Sequence, residues 1–284
     1  MSLSLVIEGG GLRGAFAVGA LAELDRVLRV RPDRVFATSS GAPNAAYFAT
    51  GQIESGVRIW RERTHSAQLV DYWNLIRPAH VMKIEQLVDV FRKEIRLDAS
   101  ALASSSTRLD IALTDVDSGA AELVTATPAN VFDLLTAAMA IPIAYGETVA
   151  VERGRYIDGG FRAPVAIREA LADEPDKLIV VLTKPRGHRR KHRPVSEWLQ
   201  CRSYRQFPRA CEAIRSKWSG YNATMDLLDE LEGAGRVLIV RPPGELPVGR
   251  LSRSKERIHA AIELGRETVR GLSSSIGAYL QAKR

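Results

Sequence analysis

Cysteine is scarce in this chain: only two occur among 284 residues, Cys201 and Cys211. They form no C-x-x-C pair, and no spacing typical of metal ligands accompanies them. The sequence therefore predicts no metal centre, and it favours two inert thiols in a reducing cytosol.

Long hydrophobic runs are also missing. The N-terminal apolar segment Leu3–Ile7 ends at Glu8, which makes it too short for the hydrophobic region of a signal peptide. The longest apolar stretch, Leu134–Tyr145, is interrupted by Thr136 and Pro142 and falls short of the roughly 20 residues that span a bilayer. We therefore expect a cytoplasmic protein that is neither exported nor integral to a membrane.

Internal repeats and long Gly/Ser-rich or Pro-rich linkers are absent as well. A hydrophobic fraction of 45% and a charged fraction of 26% are near the ordinary range for soluble globular proteins. These features predict one domain over residues 1–284, with a core over about 3–185 and a helical C-terminal part over about 195–284 that packs on it.

Positive charge is in excess, with a formal net charge of +7, and much of it is concentrated in one basic run, Lys184–Arg193. The run follows the apolar segment Leu178–Leu182 and is expected either to form a solvated surface loop or to contact an anionic membrane. Nucleic acid is not an expected partner, because no helix-turn-helix, zinc-finger or aromatic RNA-binding motif accompanies the charge.

Short β-rich segments alternate with helical patterns, which predicts an α/β fold with a largely parallel sheet. The predicted strands are Leu3–Ile7, Val35–Thr38, Leu109–Thr114, Leu123–Ala126, Lys177–Leu182 and Val237–Val240. The predicted helices are Leu12–Val30, Ala42–Thr50, Val131–Ala140, Phe207–Leu231 and Ser254–Leu280. Asp117, Ser118 and Gly119 are typical turn residues and predict a hairpin between two of the strands.

A glycine-rich turn over Glu8–Gly14 joins the first predicted strand to the first predicted helix. Consecutive glycines let the backbone adopt unusual dihedrals, and their N–H groups near a helix start can hold an anion. Gly9, Gly11 and Gly14 also match the G-x-G-x-x-G spacing of dinucleotide sites, but the acidic residue expected after the second strand is missing. A nucleotide-binding protein is therefore a weak alternative.

The second strand–helix junction places a serine between small residues, in the pattern Ala-x-Ser-x-Gly from Ala37 to Gly41. This pattern is typical of a nucleophile elbow, where a sharp turn brings the strand and helix backbones close to the serine. Ser39 fits the apex better than Ser40, because an apex at Ser40 would put the β-branched Thr38 at the crowded flank. An ordinary turn serine is the alternative.

A carboxylate ends another apolar segment at Asp158 and is followed by Gly159 and Gly160. This side chain can accept the proton of a serine hydroxyl if the fold brings the two groups within hydrogen-bond distance. Taken alone, an Asp-Gly pair more often forms an ordinary β-turn.

In this order, the glycine loop, the serine elbow and the Asp-Gly-Gly segment resemble the three motifs of the patatin-like phospholipase family, and within it a bacterial patatin-like branch. The resemblance covers most of the chain and continues in Thr114–Gly119, Ala137–Pro142 and Tyr221–Asn222. It implies a three-layer α/β/α hydrolase-like fold with a largely parallel central sheet. It also implies catalysis by a Ser/Asp dyad without histidine, metal or cofactor.

Carried over to this sequence, the resemblance implies that Ser39 attacks a lipid ester carbonyl and that Asp158 takes up its proton and later helps to activate water. The residues implied to form the oxyanion hole are Gly9, Gly10, Gly11 and Ser40. The residues that support the motifs are Leu12, Arg13, Gly14, Ala37, Thr38, Gly41, Gly159 and Gly160. The implied activity is that of a lipase or phospholipase A-type esterase.

One position departs from the family pattern, because the elbow begins with Ala37 where the family usually has glycine. A lipid-binding, membrane-associated protein with weak or no catalysis is therefore the alternative. Arg13 has two interpretations, an anchor for the glycine loop or a contact to a headgroup phosphate. The histidines lie outside the three motifs and are expected to be surface or packing residues, namely His65, His80, His188, His192 and His259.

Apolar residues near the site would have to bind the acyl chain, and two segments are candidates, Val57–Val90 and Ala137–Tyr145. Core packing is the alternative for both, since apolar helical stripes usually face the core. The long predicted helix Phe207–Leu231 either covers this pocket or supports the sheet.

Overall fold

The computed structural model describes residues 1–28, 32–65, 83–142, 145–152, 154–250 and 254–282. Within these residues one sheet contains the strands β1 Leu3–Ile7, β2 Arg34–Thr38, β3 Arg108–Asp115, β4 Ala121–Thr125, β5 Val149–Val151, β6 Gly154–Asp158, β7 Lys177–Val181 and β8 Leu238–Val240. Strands β3, β2, β1, β7 and β8 are neighbours in this order and run parallel. Strands β4 and β6 pair antiparallel with β3, and β5 pairs antiparallel with β6. The sheet is therefore largely parallel, as predicted.

Helices cover both faces of this sheet. In the described residues they are α1 Gly14–Leu28, α2 Gly41–Ala49, α3 Ile53–Glu62, α4 Ile84–Asp89, α5 Ala101–Ser104, α6 Val131–Met139, α7 Ile167–Ala172, α8 Pro194–Ser203, α9 Pro208–Gly233, α10 Lys255–Gly271 and α11 Ser273–Gln281. Side chains alternate between the faces, so Leu5 and Ile7 belong to the core beneath α1, whereas Val6 belongs to the core beneath α9. This arrangement confirms the three-layer α/β/α fold.

Helix α10, from the predicted helical C-terminal part, packs against α1 at very short range. A Cβ atom on Gly19 would overlap the main-chain carbonyl of Ile262, and one on Gly265 would overlap that of Phe16. The missing side chains let the two backbones touch, which buries the apolar face of α10 against the core. The organisation into one domain stays a prediction.

The observed elements differ from the predicted ones in a few places. Strands β5 and β6 and helices α3, α4, α5, α7 and α8 are not among the predicted elements. Strands β5 and β6 and helices α4, α5 and α7 have six residues or fewer and carry little periodic signal, whereas α3 and α8 have ten residues each and the prediction missed them. The predicted helix Ser254–Leu280 is two helices, α10 and α11, since Gly271 and the following serines disfavour a helix interior. The predicted helix Leu12–Val30 begins as a 3-10 turn at Gly11–Arg13, and Val30 lies outside the described residues.

The predicted hairpin at Asp117, Ser118 and Gly119 joins β3 to β4, and Gly119 has a φ of +67°. A Cβ atom there would lie 2.6 Å from the carbonyl oxygen of Arg209, so the turn needs glycine for both its conformation and its contact. None of the helices in the described part of the chain combines the length and the apolar character that crossing a bilayer requires.

Candidate active site

Strand register brings the ends of β2 and β6 together. Strand β2 pairs with β3 as far as Thr38, which faces Ala112, and β6 begins its pairing one residue later, where Asp158 faces Leu113. Leu113 also pairs with β4 on its other edge, so β2 and β6 lie end to end along the same edge of β3. The residue that follows β2, Ser39, therefore lies beside the residue that ends β6.

Ser39 occupies a strained turn. Its φ is +54°, in the left-handed region that few non-glycine residues adopt, whereas Ser40 has a φ of −60° and stands at the start of α2. The turn is tight on both sides: a Cβ atom on Gly9 would overlap Ser39 Cβ, and one on Gly41 would lie 3.0 Å from Ile7. The geometry is that of a nucleophile elbow, and it forms with Ala37 in place at the end of β2.

A short hydrogen bond joins the two side chains that the motifs single out. Ser39 Oγ donates to Asp158 Oδ2 at 2.6 Å, and the other carboxylate oxygen, Oδ1, accepts from the N–H of Gly160 at 2.7 Å. Both side chains are nearly buried, with 7% of Ser39 and 4% of Asp158 exposed. Burial raises the pKa of Asp158 to about 6, although the hydrogen bonds from Ser39 and Gly160 lower it. The carboxylate is thus ionised at neutral pH and more basic than an ordinary aspartate.

Two arginines, Arg250 and Arg190, place positive charge near this carboxylate, and Arg13 lies near both of them. Arg250 and Arg190 lower the pKa of Asp158, and Arg250 also lowers the pKa of Arg13 and Arg190, whose burial is the larger cause of their shifts. The guanidinium of Arg190 lies 4.0 Å from the centre of the Tyr221 ring, and the carbonyl of Arg250 accepts from Leu12 N–H at 3.0 Å. None of the three arginines forms an ion pair with a carboxylate in the described part of the chain.

The glycine loop is fixed to the elbow and to the neighbouring strand. The N–H of Gly10 donates to Ser40 Oγ at 3.1 Å, and Gly11 has a φ of +59°. The N–H groups of Gly9, Gly11 and Ser40 have no hydrogen-bond partner among the residues that the structure describes. These three main-chain donors are therefore available beside the elbow, while that of Gly10 is engaged.

Thr183 supports this loop, and the sequence motifs do not include it. Its N–H and hydroxyl donate to the buried Glu8 Oε2 at 2.6 and 3.0 Å, and its Oγ1 would lie 2.7 Å from a Cβ atom on Gly10. Thr183 follows β7, and the carboxyl ends of neighbouring parallel strands meet at one edge of the sheet. That general rule is the only signal in the sequence that indicates a place for Thr183 at the site.

An apolar cavity opens beside the elbow. Its volume is about 50 Å³, and Ser39 and Ser40 contribute to its wall. Most of the remaining wall is apolar and includes Pro43, Ile59, Trp60, Leu87, Phe91 and Met139. Both candidate segments, Val57–Val90 and Ala137–Tyr145, therefore contribute to the cavity, although their residues 66–82 and 143–144 lie outside the described residues.

The polar side chains of Trp60 and Asn44 in this wall are satisfied. Trp60 Nε1 donates to Asn44 Oδ1 at 2.7 Å, and Asn44 Nδ2 donates to the carbonyl oxygen of Gly14 at 3.0 Å. Helix α9, which contains most of the predicted helix Phe207–Leu231, instead packs on the opposite face of the sheet through Tyr221, Met225, Leu228 and Leu231. These residues of α9 therefore support the sheet.

The basic run Lys184–Arg193 is largely paired on the surface. Lys184 lies 2.9 Å from Glu245, Arg186 pairs with Glu232, and Arg189 lies 2.7 and 2.9 Å from Asp226 and Asp229. Arg190 turns inward to the site. In the described structure, the exposed cations of the basic run that form no ion pair are therefore Lys191 and Arg193. The charge that the run offers to a membrane is thus confined to its C-terminal end.

Histidine takes no part in the observed contacts of the dyad. In the described residues His188 faces Glu245, His192 faces Glu197, and His259 lies near the carbonyl of Arg61. His65 Nδ1 has no hydrogen-bond partner in the described structure, and His80 lies outside the described residues.

Comparison with known proteins finds two family models along the chain. A model described as patatin-like phospholipase matches residues 5–171, and one described as a domain of unknown function (DUF6363) matches residues 207–281. The uncharacterized protein YjjU of Escherichia coli (strain K12) is 24% identical over 289 residues, which covers 99% of this chain and 80% of that relative.

Two solved structures are also similar. VipD from Legionella pneumophila has a TM-score of 0.53 at 14% sequence identity, over 96% of this chain and 67% of that chain. The type III effector protein ExoU has a TM-score of 0.46 at 11% identity, over 100% of this chain and 54% of that chain. The likeness to VipD supports the fold alone, whereas the first family model covers more than half of the chain and all three motifs. The chain therefore belongs to the patatin-like phospholipase family of lipid hydrolases.

Proposed function

We propose that this protein is a serine acyl hydrolase that cleaves lipid carboxylic esters, of the lipase or phospholipase A type. Ser39 is the nucleophile, and Asp158 is the base. The observation that carries the proposal is the 2.6 Å hydrogen bond from Ser39 Oγ to Asp158 Oδ2 at a strained elbow beside an apolar cavity.

Acylation begins from this hydrogen bond. Asp158 takes the hydroxyl proton while Ser39 Oγ attacks the ester carbonyl carbon, and the carbonyl oxygen becomes an oxyanion. When the tetrahedral intermediate collapses, its bond to the alcohol breaks, and the alcohol leaves with the proton from Asp158. The acyl group is then bound to Ser39 as an ester.

Deacylation repeats the same proton transfers with water in place of the serine hydroxyl. Asp158 takes a proton from water as its oxygen attacks the acyl carbon, and the second tetrahedral intermediate collapses with cleavage of the bond to Ser39 Oγ. Ser39 recovers its proton from Asp158, and the carboxylic acid leaves. A pKa of about 6 suits Asp158 both for accepting the proton and for returning it, because its carboxylate is ionised at neutral pH and still binds a proton readily.

Main-chain N–H groups of the glycine loop and the elbow stabilise the oxyanion in this proposal. Those of Gly9, Gly11 and Ser40 have no other partner in the described structure and are the primary donors. The N–H of Gly10 first has to release Ser40 Oγ, so its resting role is to tie the loop to the elbow. Loss of one such donor typically lowers turnover by about 10²–10³-fold.

The acyl chain occupies the apolar cavity in this proposal. The wall of this cavity is mostly apolar, so it favours an acyl chain over water, and Ser39 and Ser40 lie in this wall. The polar part of the substrate remains on the side of Arg190 and Arg250. We also propose that the protein is located in the cytoplasm, at the periphery of the inner membrane surface, and the buried, free thiols of Cys201 and Cys211 are compatible with this location.

A substrate panel tests the proposal. Lipid esters and p-nitrophenyl esters are assayed with the wild type, Ser39→Ala, Asp158→Asn and the matched control Ser40→Ala, which keeps its N–H group. We expect Ser39→Ala and Asp158→Asn to lose at least about 10³-fold in turnover and Ser40→Ala to remain measurably active.

Full activity of Ser39→Ala would remove the proposal. A wild type that binds lipid but hydrolyses none of the esters would instead favour the alternative, a lipid-binding protein without catalysis. Circular dichroism of each variant shows whether a loss of activity reflects chemistry or unfolding.

A further inference from the structure

Helix α8 exposes an unusual cluster of apolar side chains. Val195, Trp198 and Leu199 are 73%, 55% and 44% exposed, and in the described residues Met1 is the only other large apolar side chain exposed to this degree. Their spacing of three and four residues places them on one face of the helix. Together they present on the order of 300 Å² of apolar surface, since a large aromatic side chain alone contributes about 150–250 Å² when fully exposed.

Cations without carboxylate partners surround this face. Lys191 and Arg193 precede α8, Arg202 lies in its last turn, and Arg205 follows it, all exposed and without an ion pair among the described residues. The guanidinium of Arg202 lies 5.4 Å from the centre of the Trp198 ring, so one cation lies directly beside the apolar cluster.

Helix α8 contributes no exposed acidic side chain to the same surface. Glu197, the acidic residue of α8, is only 2% exposed, and its Oε2 lies 3.1 Å from His192 Nε2. The outer surface of α8 is therefore apolar at its centre and positive around it, a pattern typical of helices that lie in the headgroup region of a bilayer.

The inner face of α8 packs next to the proposed catalytic carboxylate. Cys201 belongs to a buried cluster with Ile157 and Phe161, the residues on either side of the Asp158-Gly159-Gly160 segment. Tyr204, which directly follows α8, donates its hydroxyl to the carbonyl oxygen of Glu147 at 3.1 Å. A surface bound through α8 is thus held close to the site.

We infer that α8 is a lipid-docking helix whose Val195, Trp198 and Leu199 insert into an anionic bilayer while Lys191, Arg193, Arg202 and Arg205 contact its headgroups. A second copy of the chain fits this face less well. Two copies would bring like charges together, and a stable dimer buries about 800 Å² on each partner, well above the apolar area present. Tryptophan and arginine beside each other suit the interface between acyl chains and anionic headgroups.

Vesicle co-sedimentation tests this inference independently of catalysis, because it is carried out in the Ser39→Ala background. The vesicles are phosphatidylcholine with or without phosphatidylglycerol. In that background we compare the double variant Trp198→Ser/Leu199→Ser, the variant Arg202→Gln and the charge-matched control Arg236→Gln, whose exposed side chain lies beyond the far end of α9.

We expect binding to the vesicles that contain phosphatidylglycerol, weakened at least about tenfold by the double variant and about fivefold by Arg202→Gln. Arg236→Gln is expected to bind like its parent. No binding by the parent, equal binding by the double variant, or an equal loss in Arg236→Gln would each overturn the inference.

Size-exclusion chromatography with light scattering tests the alternative that a second copy of the chain covers this face of α8. A lipid-free dimer that the double variant dissociates would assign the face to self-association and would also overturn the inference. Thermal unfolding monitored by circular dichroism confirms that the exposed substitutions leave the fold intact. Failure of ester hydrolysis in the wild type would leave these binding results unchanged, so the two proposals fail separately.

Discussion

Replacing Asp158 by asparagine separates catalysis from stability at this site. Burial raises the pKa of Asp158 from its ordinary value of 3.8 to about 6. The unfolded chain therefore ionises this group more easily than the folded chain does. Its contribution to stability is complete below pH 3.8 and is lost as the pH rises through about 6, so the ionised carboxylate destabilises the folded protein at neutral pH.

The size of this effect follows from the two pKa values. At 1.36 kcal/mol per pH unit between 3.8 and about 6, the ionised carboxylate costs about 3 kcal/mol at pH 7 and less than about 1 kcal/mol at pH 4. Asparagine is uncharged and keeps both hydrogen bonds if its Oδ1 accepts from Gly160 N–H and its Nδ2 donates to Ser39 Oγ. We expect Asp158→Asn to raise the free energy of unfolding by up to about 3 kcal/mol at pH 7 while it abolishes turnover.

Urea unfolding of the wild type and Asp158→Asn at pH 7 and pH 4, together with ester hydrolysis at pH 7, measures both effects. Asp133→Asn is the control, because this aspartate is exposed on α6, and its substitution is expected to change stability by less than about 0.5 kcal/mol. A less stable Asp158→Asn at pH 7, or a gain of equal size at both pH values, would refute the reasoning.

Three further predictions follow from the same contacts. The wild-type kcat/KM for a soluble ester is expected to fall as the pH drops below about 6, because Asp158 must be ionised to accept the serine proton; a rate that is constant down to pH 5 would contradict this. Arg250→Gln removes a charge that lowers the pKa of Asp158, so the acid limb of the same profile is expected to move to higher pH, and no movement or the reverse would count against it. Gly9→Ala places a methyl group onto Ser39 Cβ and is expected to lower turnover at least about tenfold, whereas Gly277→Ala, which meets open space, is the control that should leave turnover unchanged.

The elbow could be predicted from the sequence because its requirements are local. A sharp strand-to-helix turn needs small neighbours within two residues of the serine, and Ala37 and Gly41 satisfy this in five consecutive positions. The assignment of the apex to Ser39 rather than Ser40 agrees with the backbone, since only Ser39 has a positive φ. The glycine loop is local in the same sense.

The contact between Ser39 and Asp158 could not be derived from spacing. The two residues are 119 positions apart, and they meet because β2 and β6 use successive stretches of the same edge of β3. Register between strands is set by side-chain packing over the whole sheet, which no short segment records. Only the resemblance to a family linked the two motifs, and their catalytic roles stay predictions.

The positions of two arginines near the site could not be predicted from the sequence either. Arg190 belongs to a run that the sequence predicts to face solvent or a membrane, yet its guanidinium stacks on Tyr221 in the interior. Arg250 reaches the glycine loop through a main-chain contact to Leu12, from a segment without any motif. The chain path through loops decides such contacts, and hydrophobic periodicity carries no information about it.

Covalent labelling tests the central claim, a serine made nucleophilic by its hydrogen bond to Asp158, most directly. The protein is treated with a fluorophosphonate probe, digested, and mapped by mass spectrometry, with Ser39→Ala, Asp158→Asn and Ser40→Ala alongside. The account predicts an adduct on Ser39 in the wild type and in Ser40→Ala, none in Ser39→Ala, and strongly slowed labelling in Asp158→Asn. An adduct on Ser40 or on another serine, with Ser39 unmodified, would contradict it.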